Sequence, residues 1–165
     1  AVINAKCMKY FFIGIGALVA LALGATLFTS PSDQSGPSDP NILAVGGMHW
    51  HPSIRIFVKG EEVEIPQNVG IGAVHQPMHT HDDLPIIHLE FPAIVRKDDI
   101  RLGRFFEIWG RNMRSFGEDM LPSDERGSTE ASGLNVRMTV NGKENIEHEN
   151  YVMRDKDVIE LHYDY

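Results

Sequence analysis

Six of the eight histidines in this 165-residue chain lie between positions 49 and 88. In an extended strand, residues i and i+2 project from the same face, so each of the two His-x-His pairs in this stretch can present two imidazoles side by side. Neutral imidazole is a common ligand of zinc, copper, nickel and iron. The spacing therefore predicts a metal site built from His49, His51, His75, His79, His81 and His88.

Carboxylates accompany these histidines. Asp82 and Asp83 directly follow the second pair, and Glu90 closes the histidine-rich stretch. Their oxygens can bind an ion or orient an imidazole through a hydrogen bond. His148 and His162 lie far along the chain and are expected to be ordinary surface or half-buried residues. The alternative for the six clustered histidines is a structural or pH-sensing cluster.

The sulfur-containing side chains bear on which metal is bound. The single cysteine, Cys7, lies near the N-terminus, so the rest of the chain excludes iron–sulfur clusters and thiolate zinc sites. Met48 and Met78 each precede a histidine of a pair, and thioether ligation beside imidazole suits copper. The alternative is that both methionines fill the core. We rank copper first, zinc second and non-haem iron third.

Catalytic signatures are incomplete in this chain. The segment HTHDDL resembles the HxHxDH signature of metallo-β-lactamase hydrolases, but Leu84 replaces its last histidine. No GxSxG, HExxH or Walker motif occurs. We therefore expect metal binding without a catalytic residue, and a metal-dependent hydrolase or oxygenase is the alternative.

Apolar periodicity indicates the elements that position the histidines. Alternation predicts a β-hairpin at 54–65 and further strands at 87–91, 136–140 and 158–163. Apolar residues at helical spacing predict one helix, capped by Asp99, that runs from Leu102 to Met113. This order predicts an α+β, β-grasp-like domain, with a hairpin, one helix and further strands. The last thirty residues resemble the closing half of ubiquitin-like β-grasp domains.

An apolar segment precedes this domain. Residues 10–28 contain no charge, and as a helix at ~1.5 Å per residue they span roughly 28 Å, close to the thickness of a bilayer core. Lys6 and Lys9 precede the segment, so the N-terminus is expected in the cytoplasm and the rest outside. A cleaved signal peptide is the alternative. We predict a cytoplasmic tip and single transmembrane anchor helix at 1–29, a flexible linker at 30–40 and an extracytoplasmic histidine-rich domain at 41–165.

Charge and small-residue spacing indicate the partners. The formal net charge of -8 argues against nucleic acid. Gly16, Ala20 and Gly24 fall four residues apart, which favours contact with other membrane-protein subunits. The polar stretch 115–133 is expected to be a mobile or docking loop.

Several segments together carry a family resemblance: MHWHPSIRIFVKG, HQPMHTHDD, IIHLEF, LGRFFEIWG and VNGKENIE. They resemble a family of membrane-anchored archaeal and bacterial proteins without an established activity, some of them from ammonia-oxidising archaea. The resemblance implies an anchored, extracytoplasmic domain and permits a copper-linked role. We therefore expect a membrane-anchored metal-binding protein that handles copper or serves as an accessory subunit of a membrane complex such as a copper monooxygenase. A metal-free structural subunit is the alternative.

Overall fold

The computed structural model describes residues 39–128 and 134–165, which belong to one compact unit, Pro37–Tyr165. The described residues form ten strands and two α-helices. The strands are β1 (Ile42–Ala44), β2 (Met48–Trp50), β3 (Ser53–Val58), β4 (Glu61–Val63), β5 (Met78–His79), β6 (His88–Phe91), β7 (Val95–Arg96), β8 (Asn135–Val140), β9 (Lys143–Glu144) and β10 (Val158–Asp164). The helices are α1 (Leu102–Trp109) and α2 (Phe116–Met120), and 3-10 turns lie at Lys97–Ile100 and His148–Asn150.

The largest sheet has five strands in the order β4-β3-β10-β8-β9. β3 and β4 form a hairpin, whose turn places Lys59 and Gly60 at positive φ. β10 lies between β3, to which it is parallel, and β8, to which it is antiparallel. Alternation along the strands buries Ile54, Ile56 and Leu161 completely, so one face of this sheet forms a wall of the core.

Two short helices complete that core. α1 is amphipathic and buries Phe105 and Phe106, and it ends at Gly110, which adopts a left-handed conformation. α2 lies against β10 at a close approach: a Cβ added to Gly117 would be 2.7 Å from the Cβ of Tyr163. The Tyr163 hydroxyl donates a hydrogen bond to the backbone carbonyl of Met113, 2.6 Å away, which ties the sheet to the segment between the helices.

The histidine-rich segments form a separate three-stranded antiparallel sheet in the order β2-β6-β5. Two backbone hydrogen bonds join the segment that leads into β6 to the start of β3: Ile54 N donates to Pro85 O at 3.0 Å, and Ile87 N donates to Pro52 O at 2.8 Å. β1 and β7 form a third, two-stranded sheet. The three-stranded sheet therefore lies beside the five-stranded one and shares its core.

The predicted fold class is wrong. In place of an α+β, β-grasp-like domain with one helix, the described residues are mostly sheet, divided into three sheets, with two short helices. The reason is that β2 and β5 have only three and two residues and pair with β6 in a separate sheet. Strands of that length give no distinct periodic signal. The hairpin of β3 and β4 and the strands β6, β8 and β10 were predicted and are confirmed.

Two local predictions also need correction. Asp99 does not cap α1, because its carboxylate accepts a hydrogen bond from Arg96 N at 2.7 Å within a 3-10 turn, and α1 begins at Leu102. The stretch 115–133 is not wholly a loop, since α2 lies inside it and buries Phe116 completely.

The expected transmembrane helix at 1–29 and most of the expected linker at 30–40 lie outside the described residues. Among residues 39–128 and 134–165, no helix has the length and apolar character needed to cross a membrane.

Candidate metal centre

The register of the three-stranded sheet brings the histidines to one face. His88 faces His79 across the β5–β6 ladder, and His49 faces Glu90 across the β2–β6 ladder. Because side chains alternate along each strand, the neighbours Met78 and Leu89 turn to the opposite side, where they are buried in the core. The sheet therefore separates an apolar inner face from an imidazole-rich outer one.

Buried Thr80 holds the segment that carries His79 and His81. Its hydroxyl donates to Pro66 O at 2.9 Å and accepts from Val69 N at 3.0 Å. Its backbone N donates to Val69 O at 3.1 Å. This one residue thus fixes the backbone between His79 and His81 against the preceding loop.

His51 lies just beyond β2 and is held through its backbone. Its N–H donates to Asp155 Oδ1 at 2.9 Å, a contact between residues 104 positions apart. The register of β2 with β6, continued by one residue, sets His51 opposite His88. The turn before β10 therefore positions a histidine of the other sheet.

The six predicted histidines form one continuous cluster, which we call the histidine face. Neighbouring ring centroids lie 4.3–5.5 Å apart along it. The sequence of contacts runs from His49 to His51, to His88, to His81 and His79, and finally to His75. The structure thus brings together all six residues that the spacing singled out.

Two groups of three histidines within this face could hold a metal ion. The outer triad is His49, His51 and His88, and the inner triad is His79, His81 and His88. In each triad, one ligand nitrogen from every residue lies within 4.8 Å of the others. His75 belongs to neither triad, although its ring is 4.3 Å from that of His79. His88 belongs to both.

His79 is prepared as a nitrogen ligand. Its Nδ1 lies 3.0 Å from the carbonyl oxygen of Gln76, and because a carbonyl can only accept, the proton of the neutral ring is on Nδ1. Nε2 then carries the lone pair; it is buried and has no hydrogen-bond partner among the described residues. Burial also lowers the pKa of His79, which favours the neutral form that binds metal.

His88 shows the same arrangement with the two nitrogens exchanged. Its Nε2 lies 3.1 Å from both carboxylate oxygens of Asp83, so Nε2 carries the donated proton. Its buried Nδ1 has no hydrogen-bond partner within the part of the chain described. The hydrogen bond from His88 lowers the pKa of Asp83, which keeps the carboxylate ionised. A carboxylate behind a metal-binding imidazole is a common arrangement in metal sites.

Glu90 places a negative charge between the two parts of the face. Its Oε1 lies 3.0 Å from His49 Nε2 and 3.7 Å from His88 Nδ1. An open cleft of about 510 Å³ lies beside it, with His75 and His79 among its lining residues. A hydrated cation therefore has access to the histidine face from solvent.

The methionines are placed differently from the histidines they precede. Met78 is only 1 % exposed and belongs to the core, and Met48 packs against that core from β2. Both therefore occupy the position expected of core residues, and thioether ligation loses its support. His162 also lies outside the face, where it stacks on Phe57 at 4.7 Å.

Sequence reasoning missed two features of this site. The Gln76 carbonyl that fixes His79 is a backbone group, which no side-chain pattern can reveal. The hydrogen bond of Asp155 to His51 joins distant segments, and its only sequence signal is the acidic turn before the last strand. Asp83 and Glu90, in contrast, were expected to bind an ion or orient imidazoles, and Asp83 does contact His88.

Comparison of the chain with protein-family models, with curated proteins and with solved structures finds no match to any of them.

Proposed function

We propose that this protein binds a transition-metal ion through the inner triad of the histidine face. The observation that carries the proposal is the buried Nε2 of His79, which has no hydrogen-bond partner among the described residues while Nδ1 is fixed by a carbonyl. A buried polar atom without a partner costs about 1–3 kcal/mol. An ion bound to this nitrogen would remove that cost.

The distances between the ligand nitrogens of the inner triad are compatible with a bound first-row transition-metal ion. An ion bound tetrahedrally at about 2.0–2.1 Å from each imidazole holds its nitrogens roughly 3.4 Å apart. The triad nitrogens lie within 4.8 Å of one another, so side-chain movements of about 1 Å bring them into range. His81 and His88 are half-buried, which leaves their rings room to turn.

An all-imidazole site orders the metals in a particular way. Divalent first-row ions bind nitrogen ligands with affinity rising to copper and then falling at zinc. We therefore propose that divalent copper is the ion bound most tightly, and that zinc is the next. Because Met78 is buried in the core, a site specific for monovalent copper has no support from thioether sulfur.

The cellular setting in the proposal comes from the sequence. The uncharged apolar segment at 10–28, preceded by Lys6 and Lys9, supports attachment of the domain to the outer side of a membrane. There the protein would handle metal or serve as an accessory subunit of a membrane complex. A histidine face open to solvent suits either role, because the ion must enter from, or leave to, another molecule.

Titration of the untagged full-length chain with Cu²⁺ and with Zn²⁺ tests the proposal. We expect dissociation constants below about 1 µM for the unaltered chain, and a loss of about 10–100-fold in affinity for H79A. H162Q is the matched control, since His162 lies outside the face, and it should bind as the unaltered chain does. Equal affinities for H79A and H162Q, or no binding by the unaltered chain, would contradict the proposal.

A second candidate, metal-assisted hydrolysis, is favoured by one observation. A three-histidine site leaves a coordination position open for water, and here a cleft of about 510 Å³ with Glu90 in its lining lies beside His79. Glu90 would accept the proton of the attacking water. The zinc-loaded chain should then hydrolyse 4-nitrophenyl acetate, with the rate lost in E90Q and kept in E61Q. Equal rates with and without zinc would exclude this candidate.

A further inference from the structure

We infer that the outer and inner triads are two positions for a single metal ion, which His88 passes from one to the other. This inference rests on the proposed function and adds the route by which the ion reaches the inner triad. Metal binding alone requires only the inner triad, whereas the route assigns a separate task to His49 and His51.

The first argument is the number of available nitrogens on His88. Its Nε2 is held by both oxygens of Asp83, which leaves Nδ1 as the nitrogen with a free lone pair. One lone pair binds one ion. Because both triads include His88, they cannot both be filled while Asp83 keeps its hydrogen bond.

The second argument is the gradient of exposure along the face. The side chain of His49 is 62 % exposed and that of His88 is 12 % exposed, whereas His79 as a whole is 1 % exposed. Among the ligands of the two triads, the outer triad therefore holds the most exposed one, His49, and the inner triad holds the most buried one, His79. An ion arriving at His49 keeps more of its water than an ion bound to His79.

The third argument is the position of Glu90. Its Oε1 lies between His49 Nε2, at 3.0 Å, and His88 Nδ1, at 3.7 Å. A carboxylate there attracts a hydrated cation to the outer triad and offsets its charge as water is lost. Beyond His88, the inner triad offers the buried nitrogen of His79 as a partner.

The transfer is an exchange of ligands without a redox step. The ion keeps its charge, the bonds to His49 and His51 break, and bonds to His79 and His81 form. His88 Nδ1 stays bound throughout, so the ion is never released to solvent. His49 and His51 regain the lone pairs that had bound the ion.

The experiment uses Cu²⁺ with the full-length chain and measures stoichiometry, affinity and rate of uptake, the last by quenching of tryptophan fluorescence. Of the two tryptophans in the chain, Trp50 lies between the two outer histidines in sequence, so quenching of its share of the fluorescence reports arrival of the ion. The variants are H49A for the outer triad, H81A for the inner triad, H88A for the shared ligand and H162Q as control. Far-UV circular dichroism confirms that each variant is folded.

We expect one Cu²⁺ per unaltered chain. H49A should keep its affinity within about threefold but take up the ion at least about tenfold more slowly, since the arrival position is lost while the final one is intact. H81A should still bind one ion in the outer triad, with affinity about 10–100-fold lower. H88A should lose strong binding at both positions.

Three results would overturn the inference while leaving the proposed function in place. Two Cu²⁺ ions per unaltered chain would show that His88 does not limit occupancy. An unchanged uptake rate in H49A would show that the outer triad is not on the route. Absence of binding in H81A would show that the outer triad is not a position for the ion. Failure of the unaltered chain to bind Cu²⁺ would instead reject the proposed function itself.

Discussion

His88 faces His79 directly across the β5–β6 ladder, and the two rings stack with centroids 5.5 Å apart and 12° between their planes. Each ring donates a hydrogen bond from one nitrogen: His88 donates to the carboxylate of Asp83, and His79 donates to the backbone carbonyl of Gln76. The other nitrogen of each ring is buried without a hydrogen-bond partner among the described residues. Two adjacent imidazoles on opposing strands thus each keep one nitrogen available for a cation.

Removing the acceptor behind His88 should weaken metal binding. In D83A the His88 ring loses the carboxylate that fixes its orientation and tautomer and raises the basicity of Nδ1, so affinity for Cu²⁺ should fall about 10–100-fold. The matched control is D82A, which removes an equal charge from the next exposed position. The measurement is a titration of both variants. A similar loss in both would show that charge alone, and not the hydrogen bond to His88, supports binding.

The buried hydroxyl of Thr80 should contribute to stability. T80V leaves Val69 N and Pro66 O without their partner, so the free energy of unfolding should fall by about 1–3 kcal/mol. T139V is the matched control, because the buried Thr139 hydroxyl has no hydrogen-bond partner within the described residues and its loss should cost little. Urea unfolding followed by circular dichroism measures both. Equal losses would mean that the loop is not held by Thr80.

Gly70 should tolerate no side chain. Its φ is +77°, and an added Cβ would lie 2.5 Å from the backbone oxygen of Met78, at the start of β5. G70A should therefore lower the free energy of unfolding by at least about 1–2 kcal/mol and displace His79. G72A, where nothing lies within 4 Å of the added atom, should change stability by less than about 0.5 kcal/mol. Thermal unfolding and Cu²⁺ titration of the two variants check this, and comparable behaviour would contradict the close approach.

The sequence predicts the membership of the histidine face well, because the i, i+2 spacing of His49 with His51 and of His79 with His81 survives any arrangement of short strands. Their grouping into triads could not be predicted. It depends on the register that sets His88 opposite His79, and register follows from tertiary pairing rather than from local pattern. The shared role of His88 is therefore a property of the fold alone.

Local sequence pattern also decides which strands of the fold could be predicted. The hairpin of β3 and β4 and the last strand, β10, have clear alternation and were found where expected. β5 has two residues, and its assignment depends on its ladder with β6, which a local pattern does not contain. The sequence predicts Asp99 as the cap of a helix, but the chain first makes a 3-10 turn and enters α1 three residues after Asp99.

Diffraction data collected at the metal absorption edge from crystals of the Cu²⁺-loaded chain test the central claim most directly. We expect an anomalous peak about 2.0–2.1 Å from Nε2 of His79 and bonded to Nδ1 of His88, with His81 as the third protein ligand. A peak bound elsewhere on the chain, with Nε2 of His79 still lacking a partner, would contradict the claim that these imidazoles form the metal site.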